Sequence, residues 1–469
     1  MKKYFLFAAV VTAGMLASCS SESLTGSDPK IETPDQADLV PIEIGVATPS
    51  ARSATSATTR GTGTVGGVDD GSGNPLNDDG TAGGAANVWA GQTVNVYMFV
   101  KGTLNLAKFT NNTVTTPIFN NSLMLTPSAV NSGFASCPVD STVLSSRKLV
   151  KYYPQTGQFD FWGYRIDDAV ITAPATYPAL SGDKYTVEIT VDGSQDVLGA
   201  KTVEPTPTAL SGAGITSDDL YSAKAARAGI QPELKFNHMM TRLTFDAFPG
   251  SAAAKTVFVC GISVRPISDG NFDGNGNYVA TEYKKNKGTF AIAGTGTFEQ
   301  GITWDTETAA NTNEDDFWLD LKKRTLSAEK PLTPFITDNT TTPPTGAMQL
   351  DKDNGSADIT VYDGTKKLKI GESIIAPDAK AYELRLLLAQ KVKKYEDSDL
   401  DVPADVDNYQ FNTIKTVVRA GAATAPSFPA FLAGYSYNFK IKVFGLENIQ
   451  ITTTLAPWLY GEEIQIIGE

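Results

Sequence analysis

Side-chain chemistry needs clusters of reactive groups, and this sequence offers few. Its 469 residues hold one histidine, His238, in "KFNHMMTRL". Two-histidine zinc sets and the HExxH arrangement are therefore excluded. A lone histidine in a strand-like run reads as a packing or hydrogen-bonding residue. No GxSxG elbow, no GxxxxGKS or GxxxxGKT phosphate loop and no GxGxxG between a strand and a helix is present. Adjacent carboxylates such as Asp315 with Asp316, or Glu462 with Glu463, would face opposite sides of a strand and cannot share a substrate. Nothing here assembles a nucleophile, a base and an oxyanion site, so the expectation is a protein that is no enzyme, with no catalytic residue and no cofactor.

One metal pattern stands out. In "DGNFDGNGNYVATE", Asp269, Asn271, Asp273 and Gly274 match the opening of a calcium loop, where short carboxylate and amide oxygens wrap the ion. The twelfth position should carry a bidentate Glu but is Ala280, with Glu282 two residues late. Asp and Gly also build ordinary turns. The expectation is no metal, with Asp269, Asn271 and Asp273 as the weak candidate set, and Asp397, Asp399 and Asp401 weaker still.

Three cysteines occur: Cys19, Cys137 and Cys260. Cys19 follows Lys2, Lys3 and an apolar run from Tyr4 to Leu16 that is too short for a stable membrane span but suits a signal peptide. The order Leu16-Ala17-Ser18-Cys19 resembles the bacterial lipobox, whose cysteine is acylated and becomes the first residue of the mature chain. Cys19 is thereby expected to tether an exported protein to a membrane, since two or more acyl chains anchor stably. Cys260 sits in the strand-like "KTVFVCGISV", where a small buried residue fits as well as a disulfide with Cys137.

The elements that must carry these residues are β-strands. The chain is too long for one ordinary core, which points to two domains. Its formal charge of −13 repels phosphate backbones, so nucleic acid is not expected as a partner. The 41 Gly and 25 Pro favour turns and short strands over long helices. "TVNVYMFV" sets Val94, Val96, Met98 and Val100 on one face; "QFDFWGYRID" and "KYTVEITVDG" alternate likewise. Near the C-terminus, "GYSYNFKIKVFG" and "ENIQITTTLAPW" read as a hairpin. One short helix fits residues 209–229. The pattern is all-β, a sandwich or barrel series.

The N-terminal region is unusual. "LVPIEIGVAT" alternates Val40, Ile42, Ile44 and Val46 with Pro41, Glu43 and Gly45, as a half-buried strand does. Directly after it comes a stretch of small, Gly-rich residues that cannot bury enough surface to order itself, and it holds Arg52 and Arg60. Such arginines are open to a trypsin-like protease.

The lipobox, that strand with its Arg-containing segment, "VKYYPQTGQFDFWGYRID", "FNHMMTRLTFDAF" and "IQITTTLAPW", in this order, resemble the fimbrillin family, subunits of the type V pili of Bacteroides-like bacteria. The resemblance implies two tandem β-sandwich domains of transthyretin-like, Greek-key topology. It places a signal peptide at 1–18, a lipidated tether with a removable first strand at 19–60, a flexible segment at 61–87, and sandwiches at 88–230 and 231–469. It implies travel to the outer membrane on lipidated Cys19 and surface exposure in a fimbrium. An arginine-specific protease would cut at Arg60, with Arg52 as second choice. The strand bearing Val40, Ile42, Ile44 and Val46 would leave, and a strand from another pilus subunit would replace it. Only "LYGEEIQIIGE" follows Trp458, so Ile464 and Ile466 are the candidate donor residues and a tip or accessory role stays open beside a stalk role. The competing reading is an outer-membrane lipoprotein that keeps its tether and binds glycan or a host ligand through Trp304 or Trp318.

Overall fold

Alternating strands need a second layer to cover their apolar faces, and the chain supplies three large sheets. The structure is a computed structural model. It describes residues 39–46, 93–125, 138–140, 151–166, 179–311, 319–331, 347–392, 408–419 and 431–457, apart from short gaps within these ranges. Contacts divide the chain after Leu39, and the unit from Val40 onward is the one described below.

The first sheet contains seven strands. Its edge is β1 (Gly45–Val46), and its central pair is β2 (Thr93–Val100) and β3 (Phe159–Ile166). The strand β4 (Lys184–Thr190) lies in another sheet, whereas β5 (Val197–Thr202) and β6 (Glu233–His238) complete the path β1-β6-β5-β3-β2. Asn120–Leu125 and Pro138–Asp140 extend it at the far side.

A six-stranded sheet is built around β7 (Thr241–Pro249). A nine-stranded sheet is built on two long strands, β8 (Val257–Phe272) and β9 (Tyr278–Gly294). Beside β7 lie β10 (Leu368–Ile375) and, in parallel, β13 (Tyr435–Val443), which forms the expected hairpin with β14 (Ile449–Pro457). Beside β8 lie β11 (Ala381–Val392) and then β12 (Asn408–Arg419). The all-β expectation holds.

The expected boundary between residues 230 and 231 does not separate the sheets. β6, placed at the head of the second domain, pairs with β5 in the first sheet. β4, placed in the first domain, pairs with β9 in the nine-stranded sheet. The reason is packing on two sides. Val94, Val96 and Met98 of β2 and Phe159 and Phe161 of β3 enter one core, while Tyr97, Phe99, Trp162 and Tyr164 on the opposite faces enter another. That second core is completed by Val187 and Ile189 of β4 and Phe290 and Ile292 of β9. Val100, expected on the buried face, is exposed at the strand end. A third core lies between the six- and nine-stranded sheets, where Phe245 and Phe439 stack at 5.0 Å.

The first core is floored by short helical turns, α1 (Pro207–Gly212) and α2 (Ala223–Arg227), each opened by a capping hydroxyl, Thr206 and Ser222. Where one short helix is expected within 209–229, the chain forms two, α1 and α2. Gly163 of β3 packs closely against β6: a Cβ there would stand 3.2 Å from the side chains of Leu234 and Phe236, which would have to shift to admit it.

Phe290 joins the first sheet to the nine-stranded one, with its ring edge-on to Tyr164 at 6.1 Å. Phe290→Ala should lower the unfolding free energy by about 3–5 kcal/mol, read from the urea midpoint. A loss no larger than that of a surface substitution would mean that this joint does not hold the sheets together.

Candidate functional site

The segment 40–46 is held by two different neighbours in succession. First it runs antiparallel to residues 151–153, with Pro41 opposite Tyr152. The Ile42 N–H donates to the Lys151 carbonyl at 2.8 Å, and the Tyr153 N–H donates to the Val40 carbonyl at 2.9 Å. Pro41 lacks an N–H, and the bonds of this pairing fall on its two neighbours, where a proline does no harm. Next the Gly45 N–H donates to the Pro232 carbonyl at 2.9 Å, and β1 runs parallel to β6 with Gly45 opposite Glu233 and Val46 opposite Leu234. The long strand expected over residues 39–48 is therefore shorter in its regular pairing, because the chain changes partner midway.

Side chains do most of the holding. Val40, Ile42 and Ile44 are 7%, 1% and 3% exposed and lie in the first core with Tyr153, Phe159, Leu234 and Phe236. Burying one such side chain contributes roughly 1.5–3 kcal/mol. Val46 continues the backbone pairing, and its side chain lies outside the described residues. Without this segment, β6 would be a bare sheet edge and the first core would open to water.

Two phenols mark the floor of the groove. Tyr153 packs against Phe159 and Phe161 at 6.2 and 6.4 Å, and its Oη is buried with no hydrogen-bond partner among the described residues. Leaving such a group unsatisfied costs about 1–3 kcal/mol. Burial, and then the neighbouring Tyr221, push the Tyr153 phenol well above the ordinary tyrosine value. Burial likewise raises Tyr221 to about 12, against the opposing pull of its hydrogen bond with Thr202. Tyr221 has φ of 54°, an uncommon conformation for a large side chain, fixed here by the turns around it.

Behind the groove stands the one histidine. His238 at the end of β6 places Nδ1 2.6 Å from Asp196 Oδ2, both side chains buried. Asp196 precedes β5, so the pair ties the two strands together beyond their register from Leu198 opposite His238 to Thr202 opposite Leu234. This agrees with a hydrogen-bonding role for His238.

The candidate calcium residues are not gathered. Asp269 binds Lys380 Nζ at 2.6 Å and the Gly270 N–H at 2.9 Å. Asp273 closes the turn between β8 and β9 by accepting from the Asn275 and Asn277 N–H groups at 2.9 and 2.8 Å and from Asn277 Nδ2 at 3.1 Å. Carboxylates committed to a lysine and to turn amides leave no shared cage. Among the described residues no three His, Cys, Asp or Glu form a metal-binding group.

Trp304 does not suit the competing, glycan-binding reading. It is 8% exposed and belongs to the second core, so it cannot serve as a glycan platform. Cys260 is a free, buried thiol that burial pushes up to about 12. Cys19, Arg52, Arg60, Cys137, Trp318, Ile464 and Ile466 lie outside the described residues. Tyr153, Lys151 and Pro232 were not singled out by sequence reasoning. Their neighbour is far away in the chain, and no local pattern announces such a pairing.

No protein-family model and no curated protein matches this chain. Solved structures do. A candidate cell adhesion protein from Bacteroides uniformis is 13% identical, with TM-score 0.39, over 90% of this chain and 99% of that one. A fimbrial protein from Bacteroides vulgatus is 14% identical, with TM-score 0.34, over 78% and 92%. The tip fimbrial protein Mfa3 from Porphyromonas gingivalis is 11% identical, with TM-score 0.27, over 79% and 95%. Likeness at these levels is too distant to carry function, which must rest on the docked segment.

Ile42→Ala should weaken docking of the segment by about 2–5 kcal/mol, seen as faster amide exchange at Ile42, Gly45 and Tyr153 while β8 and β11 stay protected. Alkali should act at the same place. An unfolded tyrosine ionises near about pH 10, whereas Tyr221 stays neutral to about 12. The unfolded state then sheds protons first, so stability present below pH 10 falls as pH rises through that window. Tyr221→Phe should flatten the fall in a pH series of urea midpoints.

Proposed function

We propose that the chain is a fimbrial subunit, exported as a lipoprotein on Cys19 and polymerised by protease-triggered strand exchange at the outer membrane surface. One observation carries this reading: residues 40–46 fill a sheet edge and its core with their own alternating side chains. Their covalent link to the remainder of the fold runs through the Gly-rich stretch that holds Arg52 and Arg60.

Cleavage after Arg60, or after Arg52 as second choice, converts a tethered strand into a separate peptide. Tethering gives the segment a high effective concentration, and cutting removes that advantage without altering any contact. A strand from a neighbouring subunit then competes on equal footing for the same edge. This is β-augmentation, with main-chain bonds for affinity and alternate side chains for register. Within the chain, the residues after Trp458, with Ile464 and Ile466, are the candidate donor, and a tip subunit would accept a strand without giving one.

The test uses the full chain and an arginine-specific protease. N-terminal sequencing should return Gly61 as the new start, and electron microscopy should show polymers absent from the untreated sample. An Arg52→Ala/Arg60→Ala variant should stay monomeric under the same treatment. Polymers from that double variant, or none from the cleaved wild type, would remove this mechanism.

A further inference from the structure

The docked segment has a main-chain neighbour on each of its two sides. In an extended chain the N–H and C=O groups of successive residues point to alternate sides, so residues three apart point opposite ways. Ile42 gives its N–H to the Lys151 carbonyl at 2.8 Å, and Gly45, three residues on, gives its N–H to the Pro232 carbonyl at 2.9 Å. The side chains of Val40, Ile42 and Ile44 all enter the first core, as a regularly extended chain requires. Residues 40–46 therefore lie between residues 151–153 and the start of β6, and fill a gap with two edges.

The two edges make opposite demands. Residues 151–153 are antiparallel to the segment, with the Lys151 carbonyl as acceptor and the Tyr153 N–H as donor. β6 is parallel to it, with Gly45 opposite Glu233 and Val46 opposite Leu234. Parallel and antiparallel ladders space their donors and acceptors differently. A strand of the reverse direction would have to pair parallel with 151–153 and antiparallel with β6, so neither edge would meet its partners in place. Lys151 and Pro232 offer carbonyls at these points, and a strand without a donor there loses a hydrogen bond. Pro41, which has no N–H to give, sits at an exposed position opposite Tyr152, where neither bond falls on it.

We propose that this slot reads the direction of the strand that fills it. It admits an extended peptide running antiparallel to residues 151–153 and parallel to β6, with unsubstituted N–H groups at the positions of Ile42 and Gly45. This rests on the strand-exchange reading above and adds the specificity of the incoming strand. Three apolar side chains at alternate positions suit either direction, so filling the core does not choose between them. The two main-chain edges make the choice. Proline is tolerated at the position of Pro41 and rejected at those of Ile42 and Gly45.

The test uses full chain nicked by an arginine-specific protease and mixed with fluorescent peptides. One peptide has the sequence of residues 39–48, and a second has the same residues in reverse order, which keeps composition and alternation. The forward peptide should enter at least about tenfold more tightly, a difference of about 1.4 kcal/mol. N-methylation of Ile42 or of Gly45 in the forward peptide should each weaken entry about tenfold. Pro41→Ala in that peptide, which adds an N–H where no bond is made, should leave entry unchanged.

Equal entry by the reversed peptide, or no loss on either N-methylation, overturns the directional reading while sparing strand exchange. No entry by any peptide removes strand exchange, and this proposal with it. In the intact chain, the Ile42 and Gly45 amides should be protected alike from hydrogen exchange. Protection of only one of them would mean that a single edge holds the segment, and would overturn the proposal without touching the protease step.

Discussion

A sheet edge beside an open core is the constraint on which the rest of this structure depends. β6 offers backbone groups on one side and the side chains of Leu234 and Phe236 on its face, and neither tolerates solvent well. The chain covers both with seven residues of its own N-terminal region. Directional bonds are few, one set to residues 151–153 and another to Pro232 and β6, whereas Val40, Ile42 and Ile44 are almost wholly buried. Burial of this kind depends on apolar area and alternation more than on identity. In the proposed exchange, a strand that repeats the spacing would take the same place.

Replaceability requires that the receiving edge stay in place when empty. β6 is bonded to β5 over five residues, and the His238–Asp196 pair fixes the end of that ladder inside the protein. The turn at Tyr221 and the capped helices α1 and α2 hold the floor from the other side. The parts that receive the strand are thus anchored independently of the strand they receive.

Much of this was legible in the sequence, and the limits have physical causes. Period-two alternation identified β2, β3, β4, β13, β14 and the segment from Val40 to Val46, because one face of each is uniformly apolar. It did not show that β2 and β3 are buried on both faces, since Tyr97, Trp162 and Tyr164 look like ordinary amphipathic rings in a linear reading. Trp304, which the competing glycan-binding reading places on the surface, is enclosed by a second layer. Of the weak calcium candidates, Asp269 pairs with Lys380 across the sheet and Asp273 with Asn277 across the turn. The domain boundary after residue 230 followed a break in the strand pattern, but β6 returns across that break to finish the first sheet. Lys151 and Tyr153 stayed hidden because long-range pairings leave no mark on adjacent residues.

The two-sided burial of the first sheet bears on the groove itself. A sheet covered on one face could twist or slide to close a gap left by a departing edge strand, much as cores relax around small cavities. Here Tyr97, Phe99, Trp162 and Tyr164 are packed against β4 and β9, and close packing on that side resists movement of the backbone that carries Val96 and Phe161 on the other. Closing the vacated slot would disrupt a second core. Under the proposed exchange the slot would therefore be left standing, with its aromatic wall and its main-chain edge open to another strand.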